Sequence, residues 1–192
     1  VTGGAGWGYT VKEWLRFTAN FGTAFKAPDF NELYYPVGWG GKWGGNANLR
    51  PEESMSYEFG TSGKIKQTSW TFSVYETQID NLIGYDPPGM LSNIDKVRIR
   101  GFEGMISTRI KKWKINANLT LLDPKNRSSG INRGNTLARR AKQSFRFDVN
   151  RKFDKFKLFG LSFSRSMIGT QLLVVGQRYD DLANTRKLDS YV

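Results

Sequence analysis

Apolar and polar side chains alternate along most of this chain. Between residues 14 and 25, for example, Phe17 and Phe21 alternate with Thr18 and Asn20. A period of two residues indicates β-strands with one apolar and one polar face. The predicted strands are 5–11, 14–25, 54–63, 70–84, 93–110, 115–121, 144–150 and 157–168, with a ninth beginning near 190. The alternation loses its phase around Gly101, where we expect a β-bulge.

The connections between these strands alternate in length and character. Short basic turns follow the first, third, fifth and seventh strands, whereas the other connections are long and rich in polar residues, glycine or aromatics. A soluble sandwich distributes long loops over both ends, but an outer-membrane barrel has short turns on its periplasmic side and long loops outside. The pattern therefore predicts an all-β fold, an antiparallel transmembrane β-barrel. Because nine strands with no clean terminus do not complete such a barrel, we expect residues 1–192 to be part of a larger one.

Composition changes this picture little and excludes several functions. Hydrophobic residues make up only 39% of the chain, yet aromatic residues reach 14%, as suits a barrel with a wet interior and aromatic girdles. No run of 18 apolar residues predicts a membrane-spanning helix, and no secretory leader opens the chain, so we expect any signal to lie upstream. The chain has no cysteine and no histidine, which removes thiolate metal sites and the commonest general base. We find no catalytic constellation and expect no enzyme activity.

The net charge of +12 raises nucleic acid as a partner, but the positions of the basic residues argue against it. Three short turns hold Lys64, Lys66, Arg109, Lys111, Lys112, Lys114, Arg151, Lys152, Lys155 and Lys157. On one rim of a barrel these residues would form a basic collar facing lipid head groups. The alternative is a soluble basic β-domain that binds single-stranded nucleic acid through aromatics and lysines. That alternative requires the side chains of Phe145, Phe147, Phe159, Leu161 and Phe163 to be buried beneath a second layer.

Four segments closely resemble parts of the TonB-dependent outer-membrane receptors, especially their cobalamin and catecholate-siderophore branches. They are FGTAFKAPDFNELYYP with NANLRPEES (21–54), IDNLIGYD with NIDKVRIRGFEG (79–104), LARRAKQ (137–143), and GQRYDD leading to KLDSYV (176–192). The resemblance implies a 22-stranded barrel in the cell outer membrane that contains an N-terminal plug. It also implies uptake of a scarce metal-bearing ligand, driven by TonB with ExbB and ExbD through that plug. Residues 1–192 would then be barrel only, without the plug, the TonB box, the first barrel half or the last strands.

The same resemblance points to a ligand-binding arginine. In this family the first arginine of the LARRAKQ motif touches the ligand, which transfers to Arg139. The forked donors of a guanidinium suit a phosphate or carboxamide oxygen. The alternative is a barrel-wall arginine paired with a neighbouring carboxylate. Because Ala183 stands where the family's ligand-contacting tyrosine is expected, cobalamin and a ferric siderophore both stay open as ligands.

Aromatic residues of the long connection after residue 25 are the other binding candidates. Tyr35, Trp39 and Trp43, together with Tyr34, would offer a stacking surface to a bulky planar ligand. Alternatively, the tyrosines belong to the interfacial girdle and the tryptophans anchor their own loop. We predict no cofactor and, apart from the calcium considered next, no metal site.

The acidic residues of the predicted outer loops give one weak metal expectation. The carboxylates of Asp86, Asp180 and Asp181 could bind Ca²⁺ there. Their spacing does not match an ordered ligand loop such as an EF-hand, and solvated loop charges are the ordinary interpretation.

Overall fold

One antiparallel sheet dominates the computed structural model, which describes residues 2–36, 38, 44–86, 90–154, 156–164 and 166–192. Its eight strands are hydrogen-bonded to one another in the order in which they occur along the chain. They are β1 Gly4–Lys12, β2 Leu15–Lys26, β3 Glu52–Ile65, β4 Thr68–Asp86, β5 Met90–Ile110, β6 Trp113–Asn126, β7 Gln143–Phe153 and β10 Ser166–Val175. Shorter elements are α1 Phe30–Tyr34, β8 Phe156–Leu158, β9 Leu161–Phe163, β11 Arg178–Tyr179 and β12 Lys187–Leu188. Among the described residues, no helix is long and apolar enough to cross a membrane.

Two of the predicted strands differ from the structure. The prediction of one strand over 157–168 is wrong, because Phe159 and Gly160 have positive φ angles of 49° and 77° and form the turn of the β8–β9 hairpin. The next strand of the large sheet is β10, which pairs with β7. The predicted ninth strand near 190 is represented in the described residues only by an isolated bridge between Val175 and Tyr191.

The apolar face of the sheet is uncovered. One apolar row crosses six neighbouring strands through Trp7, Ala19, Phe59, Val74, Phe102 and Leu121. The side chain of Phe59 is 66% exposed and that of Val74 is 53% exposed, and no helix or second sheet of the described residues packs over them. The soluble alternative required a covering layer, yet Phe159 and Leu161 are also exposed. This face is therefore the lipid-facing surface that the alternation predicted.

Polar side chains form the opposite face, as predicted, and bond to one another across the strands. The amide of Asn20 donates to Glu58 at 3.0 Å. The hydroxyl groups of Ser56 and Thr77 lie 2.9 Å apart. Along β7, Arg146 also forms an ion pair with Asp148, two residues further on the same face, at 3.0 Å. Such a face suits a water-filled barrel interior.

The short turns gather at one rim, although loop lengths do not alternate strictly. Turns 13–14, 66–67 and 111–112 have two residues each, but the β7–β10 connection on the same rim contains the β8–β9 hairpin. On the opposite rim the β4–β5 connection is only residues 87–89, because these two strands extend far beyond their neighbours. The predicted basic collar lies on the short-turn rim, except that Lys155 and the side chain of Lys157 are outside the described residues.

A change of pleat separates the lower and upper parts of the β4–β5 hairpin. The bulge predicted at Gly101 is wrong, since Gly101 pairs in regular register with Tyr75. The irregularity is instead at Asn81, whose φ angle is 57° and which the ladder skips. Below Asn81, the odd-numbered Ile79 and Val97 lie in one apolar cluster. Beyond Asn81, the even-numbered Leu82 and Ile94 pack in the same cluster. One residue in the left-handed region thus turns the apolar side of the upper hairpin toward the loops.

We predict that Ala117→Arg lowers the free energy of unfolding of the full-length protein in phospholipid vesicles by about 2–4 kcal/mol, because it places a charge in the lipid-facing band. Ala117 pairs with Ile106 and Phe147 within that band. Denaturant unfolding followed by tryptophan fluorescence measures the change. In the matched control Asn118→Arg, the arginine points to the polar face, and we expect a change within about 0.5 kcal/mol. Equal losses in both variants would contradict the assignment of the faces.

Candidate functional site

A cluster of deeply buried apolar side chains lies where the long loops meet the loop-side ends of β4 and β5. Val97 and Leu137 are each 2% exposed, Leu182 is 6% exposed and Ile94 is 8% exposed. Ile79, Leu82, Ile99 and Ala138 pack against these four residues. We call these eight residues the loop core. It joins the loop after β6 and the loop after β10 to the β4–β5 hairpin, and it thereby fixes the position of the two loops.

A pair of hydrogen bonds connects the same two loops edge to edge. The side-chain oxygen of Asn184 accepts from the Thr136 backbone N–H at 2.8 Å, and its amide donates to the Thr136 carbonyl at 2.8 Å. Asn135 donates to the Leu182 carbonyl at 3.0 Å, and the Arg139 N–H donates to the Tyr179 carbonyl at 2.6 Å. The loops after β6 and β10 therefore form one hydrogen-bonded unit.

Asp181 holds the second of these loops in shape. Its carboxylate accepts from the Arg186 backbone N–H at 2.7 Å, and from the N–H and hydroxyl of Thr185 at 3.1 and 2.8 Å. These bonds are stronger to the ionised carboxylate than to the protonated acid, and the Arg186 N–H has the largest part in lowering the pKa of Asp181, while burial opposes it.

A cleft of about 160 Å³ opens beside the loop core. It is lined by Leu82, Ile83, Gly84, Ile94, Leu137, Ala138, Arg139, Arg140, Asp180 and Leu182. Arg139 precedes β7 with a φ angle of 59°, and its Nε donates to Asp180 at 2.8 Å. Its side chain is still 66% exposed. The carboxylate pairing that was the alternative for Arg139 is present, and the other guanidinium N–H groups face open space.

The neighbouring arginine lies near the polar face of the sheet. Arg140 interacts electrostatically with the phenol of Tyr75, which stands on the polar face of β4. Tyr75 also donates to Glu103 at 3.5 Å and lies over Gly101, where any Cβ would clash with its ring. The cleft thus adjoins the wall of the lumen at its loop-side mouth.

The connection between β2 and β3 contributes the aromatic candidates. Helix α1 begins with a capping box, in which Asp29 accepts from the Glu32 N–H at 2.7 Å and Glu32 accepts from the Asp29 N–H at 2.8 Å. Tyr35 ends this helix and is 62% exposed. Trp39 and Trp43 lie outside the described residues. Tyr35 and Arg139 are on the same rim, but no contact among the described residues brings them together.

Sequence patterns alone missed the partners that position Arg139. The available signal for Asn184 was the segment DDLANTR, because Asp and Asn side chains often bond to nearby backbone in turns.

Calcium binding in these loops stays a prediction. Asp180 pairs with Arg139, Asp181 accepts from its own loop, and the side chain of Asp86 is outside the described residues. Among the described residues, no three acidic side chains cluster as a metal site.

Three comparisons with known proteins agree on the fold. The family model described as TonB dependent receptor-like, beta-barrel matches residues 1–192. Vitamin B12 transporter BtuB of Photobacterium profundum is 32% identical over 191 residues, covering 95% of this chain. BtuB of Vibrio vulnificus is 31% identical over 188 residues, covering 91% of this chain and 27% of its own length. The ferric yersiniabactin uptake receptor FyuA of Yersinia pestis superposes with a TM-score of 0.75 at 19% identity, over 98% of this chain and 28% of its own.

This chain spans 28% of the length of the Photobacterium relative. An open sheet of eight strands agrees with such a share of a larger barrel. The outer edges of β1 and β10 carry no strand among the described residues, so further strands of the barrel would pair there.

We predict that Asn184→Gly lowers the free energy of local opening of the loop after β6 by about 1–3 kcal/mol, because it leaves the Thr136 N–H and C=O without their partners. Glycine keeps the left-handed backbone at this position, where φ is 60°, so the substitution isolates the side-chain bonds. Hydrogen exchange of peptides spanning residues 133–142 measures the opening. Unchanged protection at Thr136 would show that the loop core alone holds the loops together.

We also predict that the loop after β10 loosens in acid. A carboxyl whose folded pKa is lowered contributes stability that is complete above the unfolded value of about 3.9 and is lost as pH falls through the folded pKa. Amide exchange of residues 180–187, corrected for intrinsic rates, should therefore accelerate below about pH 4. In Asp181→Asn the acid dependence should disappear. A wild-type loop that is equally protected across this range would contradict the role of Asp181.

Proposed function

Because this chain belongs to the TonB-dependent receptor β-barrel family, we propose that it forms part of the wall and outer mouth of a receptor that captures cobalamin for uptake. Proteins of this family are outer-membrane transporters and not enzymes, which confirms the predicted location and the predicted lack of catalysis. TonB, with ExbB and ExbD, would act on this receptor through a plug that is not part of the chain.

The cleft beside the loop core is the observation that carries the proposal. Its wall of Leu82, Ile83 and Leu182 suits the apolar edge of a corrin, and Arg139 offers N–H donors to carboxamide or phosphate oxygens. Asp180 holds this guanidinium in place while leaving part of it exposed. The 32% and 31% identical relatives named vitamin B12 transporters support the same ligand.

A ferric siderophore is the second candidate of the same class. Arg139 and Arg140 together outnumber the single carboxylate of Asp180 at the cleft, which favours an anionic ligand. FyuA, which shares the fold, is named a ferric yersiniabactin uptake receptor. At 19% identity this likeness supports the fold and not the ligand.

Aromatic residues of the β2–β3 connection complete the proposed capture surface. Tyr35 is exposed on the same rim as Arg139, and hydrogen bonds fix its loop to β5, from Asn46 to the Leu91 carbonyl at 2.9 Å and from the Arg50 N–H to Asn93 at 2.8 Å. We propose that Tyr35, together with Trp39 and Trp43, stacks on the ligand.

We predict that Arg139→Gln weakens binding of cyanocobalamin to the full-length receptor about tenfold or more, because a hydrogen bond from a charged donor is lost. Equilibrium dialysis with labelled ligand measures the affinity. The matched control Arg133→Gln removes an exposed arginine of the same loop that lies outside the cleft, and we expect no change there.

The outcomes also separate the two ligands. No saturable cobalamin binding to the wild-type receptor, together with tight binding of a ferric siderophore, would replace the first candidate by the second. Equal weakening of cobalamin binding in both variants would mean that the arginines act only through general charge, and it would remove Arg139 as a contact.

A further inference from the structure

One arginine stands on the lipid-facing side of the sheet near the short-turn rim. Arg151 of β7 pairs with Trp113 of β6 on one side and with Ile168 of β10 on the other. Paired residues of an antiparallel sheet share a face, so Arg151 lies on the apolar face with these two neighbours. A charge in this place needs a partner or access to the polar head groups.

Two aromatic rings hold the guanidinium. Its central carbon lies 5.1 Å from the centroid of the Trp113 ring and 4.8 Å from that of Phe153. Contacts of this kind use the flat faces of the guanidinium and leave its N–H edge available to an acceptor. Arg151 is held in place by its contacts with the two rings, and its side chain is exposed.

No carboxylate of the described residues is within ion-pair distance of Arg151. Lys112, in the turn before Trp113, does have such a partner, since it pairs with Asp154 at 2.6 Å. The acceptors open to this exposed guanidinium are therefore water and groups from outside these residues. On the lipid-facing side at the membrane edge, the acceptors at this depth are the phosphates of the lipid head groups.

We propose that Arg151, stacked on Trp113 and Phe153, binds the phosphodiester of an anionic phospholipid in the leaflet at the short-turn rim. Lys111 and Lys112 lie in the turn that precedes Trp113, and the Lys152 N–H donates to the Lys112 carbonyl at 3.0 Å. Since Lys112 is paired with Asp154, it is the positive charge of Arg151, Lys111 and Lys152 that favours a lipid with net negative charge over a zwitterionic lipid that carries the same phosphate. This site is independent of the ligand that the outer loops capture.

Native mass spectrometry of the full-length receptor, titrated with phosphatidylglycerol, tests the proposal. We expect Arg151→Gln to lower the affinity of the tightest-bound lipid about fivefold, the factor for losing one basic contact at an anionic surface. The matched control Arg109→Gln makes the same chemical change on the same rim, but Arg109 pairs with Lys114 on the opposite face of the sheet. It should leave the affinity unchanged, and phosphatidylcholine should bind weakly to all three proteins.

A third variant separates the effect of charge from that of the forked donors, and a folding check excludes misfolded protein as the cause of a lost affinity. Arg151→Lys keeps the charge but loses the forked donors, so its affinity should fall between those of the wild type and Arg151→Gln. Heat-modifiable migration on gels confirms that each variant forms a barrel. Equal losses in Arg151→Gln and Arg109→Gln would show a diffuse electrostatic effect and overturn the site, as would an unchanged affinity in Arg151→Gln.

Discussion

The continuous hydrogen-bond ladder between neighbouring strands is the constraint on which this structure depends. Hydrocarbon offers no partner to a backbone N–H or C=O, so every such group inside the membrane must be paired with another strand. The irregular points of the sheet are placed accordingly. Asn81 interrupts the β4–β5 ladder only beyond the outward pair Glu76 and Arg100, which marks the end of the apolar band, and the Phe159–Gly160 turn lies beyond the opposite rim.

A second kind of stability operates above the sheet. The lipid-facing rows contribute through the surrounding bilayer, whereas the loop core buries Leu137 and Leu182 against Val97 within the protein itself. Asn184 and Asp181 supply the polar bonds that such a small core lacks. The loop that carries Arg139 is consequently ordered by packing within the protein, and the contact with Asp180 positions the Arg139 side chain without needing a ligand.

Sequence alone predicted those features that depend on neighbours along the chain. The period of two residues assigned Phe145 and Phe147 to one face and Arg146 to the other, because β-geometry fixes this alternation locally. The same rule failed at Phe159, because this residue lies in the turn of a hairpin and only Leu161 and Phe163 belong to its second arm. The contact of Arg139 with Asp180 spans 41 positions and depends on how two loops fold together, so no local pattern could reveal it.

The joint at Asn81 changes which residues of the longest hairpin face the loops. Below the joint, one side of the hairpin faces the bilayer and the other contributes Ile79, Val97 and Ile99 to the loop core, and above the joint Leu82 and Ile94 continue that core and line the cleft. Because the change of pleat is confined to Asn81 and the position facing it, Asp95, the pairs Asp80 with Lys96 and Leu82 with Ile94 keep one register on both sides of it. A single joint thus lets the same two strands serve as membrane wall at one end and as scaffold for the outer loops at the other, without a break in their pairing register.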